Sequence, residues 1–580
     1  MTRVAQRWLV AATLVAMVGV AIRAGAAEAD AAARDARPAP AAGDTARAPT
    51  ADAAGGSPAA RAATPARAAP FQPALPAENS TSLYQFIQIH RDSHTGRLAP
   101  EAATLPDEPA ARRFSRLRWV PGALEGLGTR HMQWDGSAKA VQAVTLLIQI
   151  AAGHASAETA LYELLRADDV VTFYNDALDY ASARIPNAEP RLHDLARRLA
   201  TQSRDRGPVK FGIAMLGSMG DESDLEIVRT LALHDEFGLY AAGAIAELAP
   251  ERQQALYEMA QKVNGWARIE AVTLMTATPD QKLRRWLLTE GFRNDVTAQY
   301  LAYHCATIAD LAGAMADPDT ARDVEFLAGV SDLIQSLIKP GPSRDSQTYE
   351  QTPEVAMAYL QAVQGKKESI DFLLTAQVLN DYANAAPAWS SDQKASVKRL
   401  AAPILADKSW RRRVIAALSD DRGDLEQAEI AAAKLDIETF DVHVKRLSRN
   451  GAIADRWRLA FSAADPRQIV SLVNVAEKTF SPRFARGAVG RANTSDAALE
   501  AVLQGVAKYP GTGMPIVDAS LLDISPVVRR AAVETLVRWG GPYLRDTSLR
   551  AALSAAADGE TDEALKARMV ALLNVGGDSP

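Results

Sequence analysis

Two histidines four residues apart, His90 and His94, are the first residues in this 580-residue chain whose spacing suggests chemistry. On one helix face that spacing would present both imidazoles to a single metal ion. The metalloprotease arrangement needs Glu directly after the first His, and Arg91 stands there instead. Thr95-Gly96 reads as a helix end. The pair is either a metal site or a wet helix terminus with incidental histidines. A second group lies in the glycine-dense stretch from Trp119 to Gly136. There Trp119, Glu125, His131, Trp134 and Asp135 bring two indoles, an imidazole and two carboxylates to one segment. Such a set suits a small-ligand pocket. It also suits a capping loop whose tryptophans close one end of a repeat stack.

Beyond these groups the sequence carries little that points to catalysis. The phosphate loop, the Gly-x-Ser-x-Gly elbow and a defining pair of catalytic carboxylates are absent from it, and no motif calls for a cofactor. Cys305 is the single cysteine, so an internal disulfide framework and a cysteine zinc cage are excluded. The basic clusters Lys408 with Arg411 to Arg413, and Arg529 with Arg530, read as the wet sides of helices. With a net charge of -6 and a pI near 5.9, nucleic acid is not the expected partner.

The elements that must position these residues begin after a long prelude. Arg3 and Arg7, the apolar run Trp8 to Ile22 and the small residues Ala24-Gly25-Ala26 make residues 1–26 a secretion signal. An apolar run of that length is short of the roughly 20 residues of a permanent span, which leaves an inner-membrane anchor as the alternative. Residues 27–78 are an Ala/Pro-rich linker with almost no large apolar side chain, hence a disordered tether. The body is expected outside the cytoplasm, in the periplasm or secreted, with no further integral membrane segment.

From about Leu83 the dominant period is helical. Val209, Ile213 and Leu216 share one face between Pro208 and Gly220, and Asp224 then stands where a second helix would be capped. Leu216, Ile245, Leu274 and Tyr303 recur at intervals of 29 residues, as do Ala214, Gly243, Val272 and Leu301. Such a period signals hairpins that bury their faces only against neighbours. In the C-terminal half, Ser525-Pro526-Val527-Val528-Arg529-Arg530-Ala531-Ala532 leads into Leu536 and Trp539, with the arginines expected to stay wet. Comparable starts stand at Trp410, at Arg456-Trp457 and at Leu565.

These segments resemble the second helix of HEAT repeats, in which a V-R-x-x-A-x-x-x-L pattern follows a turn. The runs Gly265 to Val272, Trp286 to Asn294 and Tyr300 to Thr307 are similar to a segment of uncharacterised bacterial HEAT-like proteins, some of which carry a monoterpene hydroxylase name. The resemblance implies a fold and no activity, because Cys305 lacks the glycine-rich approach of a haem thiolate.

The expected protein is all-α: a right-handed α-solenoid of HEAT-like helical hairpins behind a disordered tether. Residues 79–139 form its N-terminal cap region, 140–340 the regular repeats and 341–580 irregular ones. The expected function is that of an exported, non-catalytic scaffold for a protein or peptide partner. The alternative is a hydrolase or small-molecule binder working from segment 90–135.

Overall fold

Proline, serine and aspartate mark where the helices begin. Pro190, Pro353, Pro515 and Pro526 occupy first-turn positions, where a missing N–H costs nothing. Ser82 and Ser390 form capping boxes with Gln85 and Gln393. Asp280, Asp323 and Asp546 accept backbone N–H groups at three further starts.

The computed structural model describes residues 81–108, 120–185, 189–339, 341–342, 348–420, 425–485 and 494–575. The signal and linker proposed for 1–78 lie outside these residues, as does Trp119. Described residues are helical, with no strand beyond one bridge between Arg91 and Leu98. In chain order the helices are α1 (Leu83–Ile89), α2 (Ala123–His131), α3 (Ser137–Ala151), α4 (Ala155–Ala167), α5 (Tyr174–Ser182), α6 (Pro190–Gln202) and α7 (Arg206–Met219). Then come α8 (Leu225–Leu231), α9 (Gly238–Leu248), α10 (Arg252–Lys262), α11 (Trp266–Thr273), α12 (Gln281–Trp286), α13 (Ala302–Ile308) and α14 (Leu311–Ala316). The series continues with α15 (Val324–Leu337), α16 (Thr352–Ala362), α17 (Asp371–Ala385), α18 (Ser391–Leu405), α19 (Ser409–Ser419), α20 (Leu425–Lys434) and α21 (Phe440–Arg449). It closes with α22 (Ala454–Ala463), α23 (Ile469–Ala485), α24 (Thr494–Val506), α25 (Met514–Leu521), α26 (Pro526–Trp539), α27 (Thr547–Gly559) and α28 (Glu563–Val575).

Helices this short are marginal in water alone and depend on their neighbours. Accordingly, contacts run between successive helices and between alternate ones. Helices α7, α9 and α11 pack in sequence; α13, α15 and α17 form one row beside α14, α16 and α18. Near the C-terminus, α22, α24, α26 and α28 alternate with α21, α23, α25 and α27.

The 29-residue column holds for two of its four members. Leu216 and Ile245 are fully buried, whereas Leu274 falls on the C-cap of α11 and is half-buried, with Met275 taking the core position. Tyr303 is also half-buried. In α26, Val528, Ala532, Leu536 and Trp539 are buried as the spacing requires. Arg529 is not wet: it donates to Glu560 at 2.8 and 2.9 Å.

The apolar core is discontinuous. One cluster runs from Leu83 to Ile437 and a second from Phe440 to Leu572. The seam is polar. Arg446 of α21 is buried and donates to the carbonyls of Leu418 and Asp420 at the end of α19, at 2.7 and 2.9 Å. A guanidinium there complements the partial negative charge of a helix C-terminus.

Because Ile245 is enclosed and Leu274 caps a helix, the two should differ in cost. Ile245→Ala should lose about 2–5 kcal/mol, and Leu274→Ala at most half of that. Equal losses in matched denaturant melts would mean that the packing register is different.

Candidate functional site

A charge inside an apolar stripe locates the most heavily built polar cluster. Helix α7 reads Val209-Lys210-Phe211-Gly212-Ile213, and all five residues are buried. The stripe carries Lys210 inward, so its ammonium must find partners there. Lys210 Nζ donates to Glu125 Oε1 of α2 at 2.5 Å and to Glu236 Oε1, in the turn before α9, at 2.6 Å. Arg206, one turn earlier on α7, donates to both carboxylate oxygens of Asp107 at 2.8 and 2.9 Å. It also reaches Glu108 at 2.7 Å and Glu236 at 3.3 Å.

The electrostatics of the two glutamates differ in a readable way. Burial works against both charges. Glu236 has two cations beside it, Lys210 and Arg206, and is held below the ordinary carboxylate range. Glu125 has Lys210 alone and faces Glu236 as a like charge, so burial prevails and its carboxyl is pushed up. Burial opposes the Lys210 charge, but the two carboxylates keep the ammonium firmly protonated. Burial, followed by the negative charge of Glu125, holds the Tyr240 hydroxyl in its neutral form. His234 accepts the Glu236 N–H through Nδ1 at 3.2 Å, and burial drops it to about 4.

Further contacts fasten residues 83–108 and 120–131 to helices between α6 and α11. The Leu83 N–H donates to Ser203 O at 3.0 Å, Arg91 pairs with Glu226 of α8 at 3.3 Å, and Arg97 reaches Gln261 O of α10 at 2.7 Å. Farther on, Arg130 of α2 pairs with Glu270 of α11 at 2.5 Å, its guanidinium 5.9 Å from the Trp266 ring and 5.8 Å from the Tyr300 ring. The approach of α2 to α11 requires glycine, since a Cβ on Gly126 would run into the Trp266 indole. Gly122 opens α2 in the left-handed region (φ 74°), and its N–H donates to Glu236 Oε2 at 3.3 Å.

The residues singled out by sequence are dispersed. Glu125 belongs to the Lys210 cluster. His131 points elsewhere, its Nε2 2.9 Å from the Tyr300 hydroxyl; six residues along a helix turn the face by about 240°. Trp134 is 40% exposed and lies under Gly128. Asp135 accepts from Ser137 Oγ at 2.8 Å beside the start of α3. Helix α1 ends at Ile89, so His90 and His94 do not share a helix face. His90 is the C-cap, with Nδ1 2.8 Å from Phe86 O, and His94 is exposed in the following turn.

Arg130, Lys210, Arg206 and Glu236 were not among the sequence candidates. For Lys210 a signal existed, a lysine set between Val209 and Phe211. Asp224 was expected to cap a helix. It does stand at the start of α8 but makes no cap hydrogen bond there; Asp221 caps the short turn before it, accepting the Ser223 N–H at 2.8 Å, while the Asp224 side chain turns toward His193 and Arg197. The chain matches no protein-family model, no curated protein and no solved structure.

Asp235, which accepts the Ala267 N–H at 3.0 Å, is pushed up to about 6, first by burial and then by Asp295 and Glu236. A folded-state value above the unfolded one favours folding at low pH, and that contribution is lost as pH rises through 6. Asp235→Asn keeps the acceptor and removes the ionisation. Its melting temperature should therefore gain on the wild type as pH goes from 4 to 7, by on the order of 2 kcal/mol in stability. A constant difference across that range would show that Asp235 ionises normally.

Proposed function

We propose that this chain is an exported, non-catalytic interaction scaffold: a right-handed α-solenoid of HEAT-like hairpins whose surface binds a protein or peptide partner. The observation that carries the reading is the turn between α25 and α26. Leu522, Ile524 and Val527 are 56, 51 and 51% exposed there. Asp523 between them is buried and held by two Arg483 hydrogen bonds of 2.6 Å, and it caps Ser525 N–H at 2.8 Å. A bidentate arginine clamp fixes the turn, so three aliphatic side chains are displayed with little freedom left to lose. Rigid apolar anchors of this kind suit the centre of a protein interface.

The alternate packing of α7–α9–α11 and of α22–α24–α26–α28 supports the stacked-hairpin reading. The competing idea, a hydrolase or small-molecule binder in segment 90–135, draws less support. Glu125 Oε1, Arg130 and His131 are engaged by α7, α11 and Tyr300. Export rests on Arg3, Arg7, the run Trp8 to Ile22 and Ala24-Gly25-Ala26.

A photo-crosslinker placed at Ile524 in the producing cell should join the chain to one partner in stoichiometric yield. The crosslinked protein should begin at Ala27. Ile524→Asp should weaken the purified pair at least about tenfold, the usual size of a hot-spot loss. Equal binding by Ile524→Asp would remove the turn as the docking point, and a retained Met1 would remove signal cleavage.

A further inference from the structure

Apart from the Lys210 cluster, the helices bring together, among the described residues, a set of side chains with metal-ligand chemistry. His193 stands on α6, while Asp221 and Asp224 flank the turn that opens α8. The imidazole nitrogen and one oxygen of each carboxylate all lie within 4.8 Å of one another. His193 Nε2 and Asp224 Oδ2 are 2.7 Å apart.

The surroundings hold these groups the way ligands are held. Asp224 is fully buried. Its other oxygen, Oδ1, accepts from Arg197 Nε at 2.5 Å, and Arg197 also donates to Ser223 Oγ at 2.5 Å. Asp221 Oδ1 accepts the Ser223 N–H at 2.8 Å, and the Asp221 N–H donates to Asp224 Oδ2 at 3.1 Å. A carboxylate with one oxygen fixed by an outer hydrogen bond and the other aimed at an imidazole matches a ligating carboxylate with its outer support. With Arg197 included, the formal charge of the group is that of two carboxylates and one guanidinium, so one negative charge is left for a cation to neutralise.

We propose that His193, Asp221 and Asp224 bind a divalent transition-metal ion of the zinc class. One nitrogen and two oxygen donors suit such an ion, and the imidazole argues against magnesium or calcium. Tetrahedral bonds of about 2.0–2.1 Å place ligand atoms ~3.3 Å apart. The His193–Asp224 pair must then open by roughly 0.6 Å, which the His193 ring can do by rotating about its side-chain bonds, since its side chain is 26% exposed. Three protein ligands leave a position for water or for a partner's donor atom. The ion would tie α6 to the start of α8, the two helices on which α1 packs, and so would steady the seat of the N-terminal segment.

The test uses the full, untagged chain after chelation. Co2+ should bind at one equivalent with visible d–d absorption, and Zn2+ should displace it. His193→Gln and Asp221→Asn should each lower Zn2+ affinity by calorimetry at least about tenfold, as losses around such sites do. Asparagine still caps the turn, so Asp221→Asn should melt like the wild type without metal and lose the rise in melting temperature that Zn2+ gives the wild type. Absence of saturable Co2+ or Zn2+ binding would overturn the proposal, leaving an Arg–Asp–His structural contact. Binding that both substitutions leave unchanged would overturn it equally, since the ion would then sit elsewhere.

Discussion

An ammonium group taken out of water dictates much of the N-terminal half. Lys210 lies on the apolar stripe of α7, so its charge tolerates burial only with carboxylates brought to it. One comes from the turn ahead of α9, which packs on α7; the other comes from Glu125, 85 residues earlier in the chain. The requirement therefore fixes where α2 lies. Arg206 sets a second tie, holding Asp107 and Glu108 one turn away on the same helix. Buried ion pairs contribute uncertain net stability, because desolvation offsets attraction. Their effect here is on register: α2 slid by one turn would take Glu125 away from Lys210 and Arg130 away from Glu270.

That constraint separates what the sequence discloses from what it hides. The helices between Pro208 and Gly220 and between Ser525 and Trp539 were legible, because local periodicity, first-turn prolines and terminal glycines act within one element. The spacing of 29 residues was legible as far as α7 and α9 repeat each other. It drifts at α11, where the helix ends at Thr273 and Leu274 becomes a cap. Partners from distant segments were not legible. Glu125, His131, Trp134 and Asp135 are close in sequence and read as one pocket or one capping loop, yet their contacts lie with Lys210, Tyr300, Gly128 and Ser137. Residues 140 and 169 positions away supply the partners of Arg130 and His131. Local pattern carries no information about such pairs. For the histidine pair the end of the helix was legible in Thr95-Gly96, and α1 stops at Ile89, one residue before His90.

The C-terminal half follows a different economy of contacts. Its apolar core begins anew at Phe440, and across the seam before it the Arg446 guanidinium on helix-end carbonyls accompanies the packing of Val442 against the first cluster. Arg456 repeats the device inside the second cluster, donating to Arg446 O at 3.0 Å. Carbonyl capping by arginine specifies direction and spacing, whereas aliphatic contact specifies only area. Stacked helices joined in this way keep their order while exposing the turns between them, and the rigid Leu522–Val527 turn is one of these.

The account depends on Lys210 holding α2 against α7 through Glu125, and a double-mutant cycle read by hydrogen exchange tests this most directly. Lys210→Met should cost about 3–5 kcal/mol, the usual loss when one member of a buried pair is removed, and should speed exchange of the α2 amides. Adding Glu125→Gln to the same chain should restore part of both, because the stranded carboxylate is gone. Strictly additive losses, with α2 amides exchanging as in the wild type, would contradict the account.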